Sequence, residues 1–124
     1  MKKILIIDDE PDTITFLTNW LEDNGYAACS ATDGDMGMQV IQAEKPDLIL
    51  MDLRMPHRTG FQLYRMLRLN DDFKSIPVIF VTGLPEFQIF DDECTPLPKP
   101  EGFIEKPIDL KALHQTIRNI LYFQ

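Results

Sequence analysis

The sequence predicts an α/β fold in which a doubly wound, five-stranded parallel sheet carries helices on both faces. Three apolar runs, at residues 4–7, 48–51 and 78–81, show no polar alternation, which is typical of strands buried on both faces. A weaker run at residues 26–29 and a short one at 102–104 complete five candidate strands. Helical patterns separate most of these runs, so strands and helices alternate along the chain.

Helical spacing fills the intervals between the strands. Ile14, Leu17 and Leu21 recur at steps of three and four, and Asn24 with Gly25 supplies a stop for this first helix. Asp33 is placed to cap a second helix. Apolar residues at helical spacing predict a third helix and a C-terminal helix, with these members: Phe61, Tyr64 and Leu67, then Leu110, Leu113, Ile117, Ile120 and Leu121.

The interval before the last strand, residues 84–101, is different because it contains four prolines and an acidic run. Each proline removes a backbone donor and blocks a helical turn. We therefore expect a fourth helix that is short or irregular, about two turns at most between residues 86 and 93. A Pro-rich loop should follow it, with polyproline-like backbone exposed for recognition and fast amide exchange.

Composition limits the class of protein. A chain of 124 residues with 44% apolar residues suits one domain spanning 1–124, in which residues 121–124, Leu-Tyr-Phe-Gln, fit either a tag remnant or a native tail. The net charge of −8 argues against a nucleic-acid surface and against docking on an anionic membrane. Two distant cysteines and no transmembrane-length apolar stretch favour a reducing, cytoplasmic location.

Chemically capable residues follow four of the predicted strands. Asp8 and Asp9 follow the first, Asp52 the third, Thr82 the fourth and Lys106 the last. Ligands bind beyond the carboxyl ends of strands in open α/β sheets, so we expect these side chains to converge. Individually, the acidic pair could cap a helix, Asp52 could start a turn, and Thr82 and Lys106 could be ordinary surface groups.

Together these residues predict phosphoryl transfer. Three neighbouring carboxylates repel one another unless a cation joins them, and Mg²⁺ suits an oxygen-ligand site that awaits a phosphate. Asp52 could then attack phosphorus, while Lys106 neutralises charge on the phosphoryl group and Thr82 donates a hydrogen bond to it.

At these residues the chain resembles the response-regulator receiver domain of two-component signalling. The resemblance rests on residues 7–11, 47–52, 81–83, Met55-Pro56 with Gly60, and Lys106-Pro107. It implies a flavodoxin-like sheet and phosphorylation on Asp52. It also implies that Asp8, Asp9, Asp52 and the backbone carbonyl of Arg54 bind Mg²⁺, or Mn²⁺ in its place. Thr82 and Phe103 would be the switch residues, Lys106 the phosphate-binding lysine, and the Lys106–Pro107 bond cis.

The same resemblance implies the partners. The phosphodonor would be a phosphohistidine on a sensor histidine kinase or a histidine phosphotransfer domain, and an output partner would read the switched surface. The chain would not be an enzyme beyond assisting its own phosphorylation and dephosphorylation. Whether the chain forms a homodimer is left open, because the Pro-rich residues 95–101 depart from the family pattern at the usual dimer face.

The sequence disfavours three alternative functions. A haloacid-dehalogenase-type phosphatase also forms an aspartyl phosphate, but it needs an Asp-x-Asp pattern after the first strand, where this chain has Glu10 as the third residue. A receiver-like scaffold that works without phosphorylation would not need the acidic, hydroxyl and lysine groups. A nucleotide-binding turn is disfavoured because no glycine precedes Gly25.

Overall fold

The computed structural model describes residues 1–54, 60–83 and 97–123. Within them the elements are β1 (Lys3–Ile7), α1 (Pro11–Asp23), β2 (Ala27–Ala31), α2 (Gly34–Glu44), β3 (Leu48–Met51), α3 (Gly60–Leu69), β4 (Val78–Thr82), β5 (Gly102–Glu105) and α4 (Leu110–Tyr122). The short helix predicted between residues 86 and 93 lies outside the described residues, so the C-terminal helix is numbered α4.

The five strands form one parallel sheet in the order β2-β1-β3-β4-β5. The chain first builds outward from β1 to β2 and then crosses back to β3, β4 and β5. This reversal confirms the predicted doubly wound sheet and puts β1 beside β3 at the switch point, where such folds bind their ligands. All residues of β3 and β4 are buried, as their continuous apolar runs predicted.

Helices cover both faces of the sheet, as predicted. Alternate residues of β1 point into two separate cores: Ile4 and Ile6 join α1 and α4, whereas Leu5 and Ile7 join α2 and α3. Each fully buried aliphatic side chain stabilises the fold by roughly 1.5–3 kcal/mol, so the sheet is firmly held from both sides.

Capping residues mark the start of α2 and the end of α1. The Asp33 side chain accepts a hydrogen bond from the backbone nitrogen of Met36 at 2.8 Å, which confirms the predicted cap of α2. Asn24 caps the C-terminus of α1, and Gly25 follows with a φ of 89°. The second strand begins one residue later than predicted, because Ala27 pairs with Lys3 while the Tyr26 side chain packs into the α1–α4 core.

Residues 97–101 are the part of the Pro-rich segment that the structure describes. Residues 97–100 form no helix or strand, which confirms the predicted irregular backbone for this part. The expectation of an exposed backbone is wrong at Pro98, whose carbonyl oxygen accepts a hydrogen bond from the Tyr64 hydroxyl on α3. The Tyr64 hydroxyl thus supplies the donor that the irregular backbone does not offer to this carbonyl oxygen. Leu97 also packs against the α2–α3 core, where its side chain is partly buried. The fast amide exchange predicted for residues 86–101 stays a prediction, and residues 86–96 of that range lie outside the described part.

Candidate functional site

Asp8 and Asp52 are placed side by side by the pairing of β1 with β3. Ile7 is opposite Met51 in the sheet, and the Asp52 backbone nitrogen donates to the Ile7 carbonyl oxygen at 2.9 Å. On the other side, the Asp8 nitrogen donates to the carbonyl oxygen of Ala31 at 3.1 Å. Backbone pairing therefore continues past the strand ends and holds both aspartates at the carboxyl edge of the sheet.

Both carboxylates are buried and held by local backbone donors. Asp8 is 3% exposed and Asp52 is 6% exposed. The Oδ1 atom of Asp8 accepts from the Glu10 nitrogen at 2.9 Å, and the Oδ1 atom of Asp52 accepts from the Arg54 nitrogen at 3.1 Å. These bonds orient each side chain and leave its Oδ2 atom for another partner.

Lys106 is that partner for both aspartates. Its Nζ atom lies 2.9 Å from Asp8 Oδ2 and 3.2 Å from Asp52 Oδ2, with Glu10 Oε1 farther away at 3.9 Å. The Lys106 backbone nitrogen donates to the Thr82 carbonyl oxygen at 2.8 Å, which anchors the lysine at the end of β4. The Lys106–Pro107 peptide bond is cis, which confirms that prediction.

Burial and the neighbouring opposite charges shift the pKa values of Asp52 and Lys106 in opposite directions. Burial raises the pKa of Asp52, and the hydrogen bond from Arg54 and the charge of Lys106 only partly offset this effect. Burial lowers the pKa of Lys106, but its hydrogen bonds and charge interactions with Asp8 and Asp52 outweigh that effect, so the pKa is raised overall. The two neighbouring carboxylates thus favour the charged form of the ammonium.

The acidic residues after β1 form a compact group. Oxygen atoms of Asp8, Asp9 and Glu10 all lie within 4.8 Å of one another. An all-oxygen, negatively charged donor set fits a hard divalent cation such as Mg²⁺. The group differs from the expected ligand set, since it includes Glu10 and does not include Asp52. The signal for Glu10 was present in the sequence, where it directly follows Asp9.

Thr82 and Phe103 lie on the neighbouring strands β4 and β5, and Arg54 lies in the loop after β3. Thr82 is the last residue of β4 and is completely buried. Phe103 lies within β5 opposite Phe80, and its partly buried side chain packs against the α2–α3 core. Arg54 is exposed, and its backbone nitrogen contacts Asp52 as described above. Met55 and Pro56 lie outside the described residues.

Gly60 has a packing role that the sequence did not reveal. A Cβ atom there would collide with the carbonyl oxygen of Asp52 and would lie 2.7 Å from the Cα atom of Leu53. The Gly60 nitrogen also donates to the Leu53 carbonyl oxygen at 3.3 Å. The start of α3 therefore presses directly on the backbone that carries Asp52.

A family model described as the response regulator receiver domain matches residues 4–118. The chain belongs to this family. The receiver is 36% identical over 121 residues to the protein PilH of Pseudomonas aeruginosa, with 98% of each chain covered. It is 28% identical to the polar-differentiation response regulator DivK of Brucella anthropi, with 97% of this chain and 96% of DivK covered.

Solved structures agree with this assignment. The receiver matches the chemotaxis protein CheY4 of Vibrio cholerae with a TM-score of 0.87 and 26% identity, over 98% of this chain and 99% of CheY4. The fold is the flavodoxin-like fold of such receivers, and the chain is a receiver domain of the two-component and chemotaxis type. Domains of this family generally act as non-catalytic signalling units, and the match does not favour the phosphatase alternative. Within the described ranges, no helix has the length and apolar character needed to cross a membrane.

Proposed function

We propose that this receiver accepts a phosphoryl group on Asp52 and thereby switches its output surface. The observation that carries the proposal is the Asp8–Lys106–Asp52 arrangement, in which one ammonium is hydrogen-bonded to both buried carboxylates. A purely structural ion pair would need one carboxylate per cation. Here the edge of the sheet concentrates more acidic groups than Lys106 neutralises.

Asp52 is the proposed nucleophile. One of its carboxylate oxygens attacks the phosphorus of a phosphohistidine, so that a new P–O bond forms as the P–N bond breaks. The electron pair of that bond goes to the imidazole nitrogen, which then takes up a proton. The Arg54 backbone nitrogen holds Asp52 during the attack, and Lys106 moves its charge toward the incoming phosphoryl oxygens. Thr82 is proposed to donate a hydrogen bond to one of those oxygens.

Asp8, Asp9, Asp52 and the carbonyl of Arg54 are the proposed ligands of Mg²⁺ or Mn²⁺. The closely spaced carboxylates of Asp8, Asp9 and Glu10 support a cation site, because three negative charges within 4.8 Å repel one another. When bound, the ion would neutralise negative charge on the phosphoryl oxygens. Glu10 would add to the field that attracts the ion.

The proposed partners follow from this chemistry. The phosphodonor is a phosphohistidine on a sensor histidine kinase or a histidine phosphotransfer domain, both reached in the cytoplasm. Phosphorylation would draw Thr82 toward the phosphoryl group, and Phe103 on the neighbouring strand would follow, which changes the surface read by an output partner. Direct nucleic-acid binding is not proposed because the net charge is −8. A homodimer through the switched surface remains compatible with this scheme.

The experiment is labelling with acetyl phosphate and Mg²⁺, followed by intact mass measurement. We expect one phosphoryl group on the native chain and on Asp23→Asn, which removes an exposed carboxylate at the end of α1. We expect none on Asp52→Asn, and a slow reaction for Lys106→Met. Equal labelling of Asp52→Asn would refute the assignment. An unlabelled native chain with all acidic groups intact would favour the phosphorylation-independent scaffold.

A further inference from the structure

A groove between α1 and α4 combines an aromatic floor with positive charge. It has a volume of about 220 Å³ and is lined by one residue of α1 and five of α4: Trp20, Leu110, Lys111, His114, Gln115 and Arg118. We call it the basic groove. The proposed phosphorylation chemistry uses none of these residues.

The charge of the basic groove contrasts with that of the whole chain. The net charge is −8, yet α4 contains Lys111 and Arg118 and no Asp or Glu. Both side chains are exposed, and within the described residues neither takes part in an ion pair. The Oδ1 atom of Asp109 accepts hydrogen bonds from the backbone nitrogens of Lys111 and Ala112. Two positive charges therefore face solvent on an otherwise acidic protein.

The floor of the basic groove is formed by packed rings. His114 stands edge-on to Trp20 with 5.5 Å between ring centroids, and edge-on to Tyr26 at 6.4 Å. Trp20 and Leu110 are partly buried against the α1–α4 core. A ring held on two sides loses little conformational entropy when a ligand covers it, which favours binding.

The basic groove shares no residue with the phosphorylation site. Trp20 lies nine residues beyond Pro11, which is roughly 13 Å along α1 from the end nearest Asp8. Lys111 and Arg118 are seven residues apart on α4, a separation of roughly 10 Å along the helix axis. An occupant that pairs with both must offer two negative charges at that separation, with an apolar side chain between them to cover Trp20.

We propose that the basic groove binds an acidic helical segment of a partner protein. Acidic residues seven positions apart on that segment would pair with Lys111 and Arg118, and apolar residues at the intervening third and fourth positions would pack on Trp20 and His114. Charge complementarity selects such a segment. Nucleic acid needs a longer basic track than two side chains, and the remaining surface of the chain would repel it.

The test is a titration of the ¹⁵N-labelled chain with a synthetic helical peptide that has Glu at positions i and i+7 and Leu at i+3 and i+4. We expect shifts at the Trp20 indole N–H and at amides 111–118, which weaken as salt is added. A peptide with Gln in place of Glu should bind about tenfold more weakly.

Protein variants locate the interaction. K111E/R118E should weaken peptide binding by about tenfold or more. The control K2E/R65E reverses two other exposed charges and lowers the net charge equally, and it should bind within about twofold of the native chain. Acetyl phosphate labelling and thermal unfolding verify that each variant is folded, and K111Q/R118Q replaces any variant that is not.

Three results would overturn the proposal. The first is the absence of chemical-shift changes at the groove residues with millimolar peptide. The second is a Gln peptide that binds as tightly as the Glu peptide. The third is an equal loss of peptide affinity in K111E/R118E and K2E/R65E. A concentration-dependent dimer of the free chain that K111E/R118E abolishes would instead assign the basic groove to a second copy.

Discussion

Lys106 and Arg68 are two largely buried cations at opposite edges of the sheet, and their surroundings differ. Lys106 lies at the carboxyl edge, 23% exposed, between two aspartates with further acidic groups nearby. The Arg68 side chain is 5% exposed at the amino edge. It pairs with Glu101 at 2.9 Å, donates to the carbonyl oxygens of Lys74 and Ile76, and contacts the Tyr64 hydroxyl.

The difference separates a reactive site from a structural one. The Arg68 charge is balanced by one carboxylate, and Glu101 also accepts from the Val78 nitrogen at 2.8 Å, so the cluster joins α3, β4 and the approach to β5. Around Lys106 the negative charge is in excess, so the arrangement can change when a cation or a phosphoryl group arrives. Excess like charge costs stability, and such a cost is typical of a functional site.

The largest effect on stability should come from substitutions of Arg68, whose charge is balanced by Glu101. Arg68→Ala should lower the free energy of unfolding by about 3 kcal/mol, because two carbonyl oxygens lose their side-chain donor and Glu101 loses its cationic partner. Lysine at this position keeps the charge but cannot reach all of these acceptors. Arg68→Lys should therefore lower the free energy of unfolding by less than Arg68→Ala does. Urea denaturation measures both. A loss below about 0.5 kcal/mol for Arg68→Ala would show that the cluster is not structural.

Gly60→Ala tests the packing beneath the reactive site. The added Cβ collides with backbone atoms that cannot move aside easily, so we expect a loss of about 2 kcal/mol together with slower acetyl phosphate labelling. Gly25→Ala is the control. Its positive φ costs about 1 kcal/mol, but nothing lies within 4 Å of the added atom, so labelling should be unchanged. Equal labelling rates in the two variants would refute the link between Gly60 and Asp52.

Asp52→Asn should slightly raise stability in metal-free buffer at pH 7, in contrast to Arg68→Ala. Folding raises the pKa of Asp52 above its ordinary value of 3.8, so the ionised form is disfavoured in the folded state. The cost of ionising Asp52 in the folded state is absent at pH values below the pKa of Asp52 in the unfolded chain. It is complete at pH values above the pKa of Asp52 in the folded chain. The gain from Asn should therefore shrink as pH falls toward 4. Urea titrations at several pH values check this, and a loss of stability at pH 7 would contradict the stated balance of burial and charge.

The smallest effect should come from an exposed cation. Lys3 pairs with Glu44 at 2.8 Å, but their side chains are 36% and 46% exposed, so solvent screens the interaction. Glu44→Gln should cause no measurable change in the urea midpoint. A clear loss that disappears at high salt would show that surface pairs matter more in this acidic chain than the comparison with Arg68 implies.

The sheet could be predicted because its strands are buried on both faces, which leaves uninterrupted apolar runs such as residues 48–51. The C-terminal helix was equally clear, since its buried residues Leu113, Ile117 and Ile120 follow one stripe. The path of residues 97–101 was not predictable in detail. Prolines indicate an irregular backbone, but they do not indicate which neighbouring helix supplies the donors.

The candidate site was predicted because its residues end a strand or directly follow one, and parallel strands end at one edge. The structure brings Asp8, Asp52 and Lys106 together, while the proposed roles of Thr82 and Phe103 remain predictions. The Arg68 cluster was missed because an arginine on a helix resembles an ordinary surface residue. Its partner Glu101 is 33 residues away, and only the tertiary fold brings the two together.

The most direct test of the central claim is chemical mapping of the phosphorylated residue. Borohydride reduces an aspartyl phosphate to homoserine, which tandem mass spectrometry locates in the sequence. After reaction with acetyl phosphate and Mg²⁺, we expect homoserine at position 52 and at no other aspartate. Homoserine at position 8 would support the phosphatase-type chemistry instead, and homoserine at neither position in a chain that gained a phosphoryl group would contradict the proposed site.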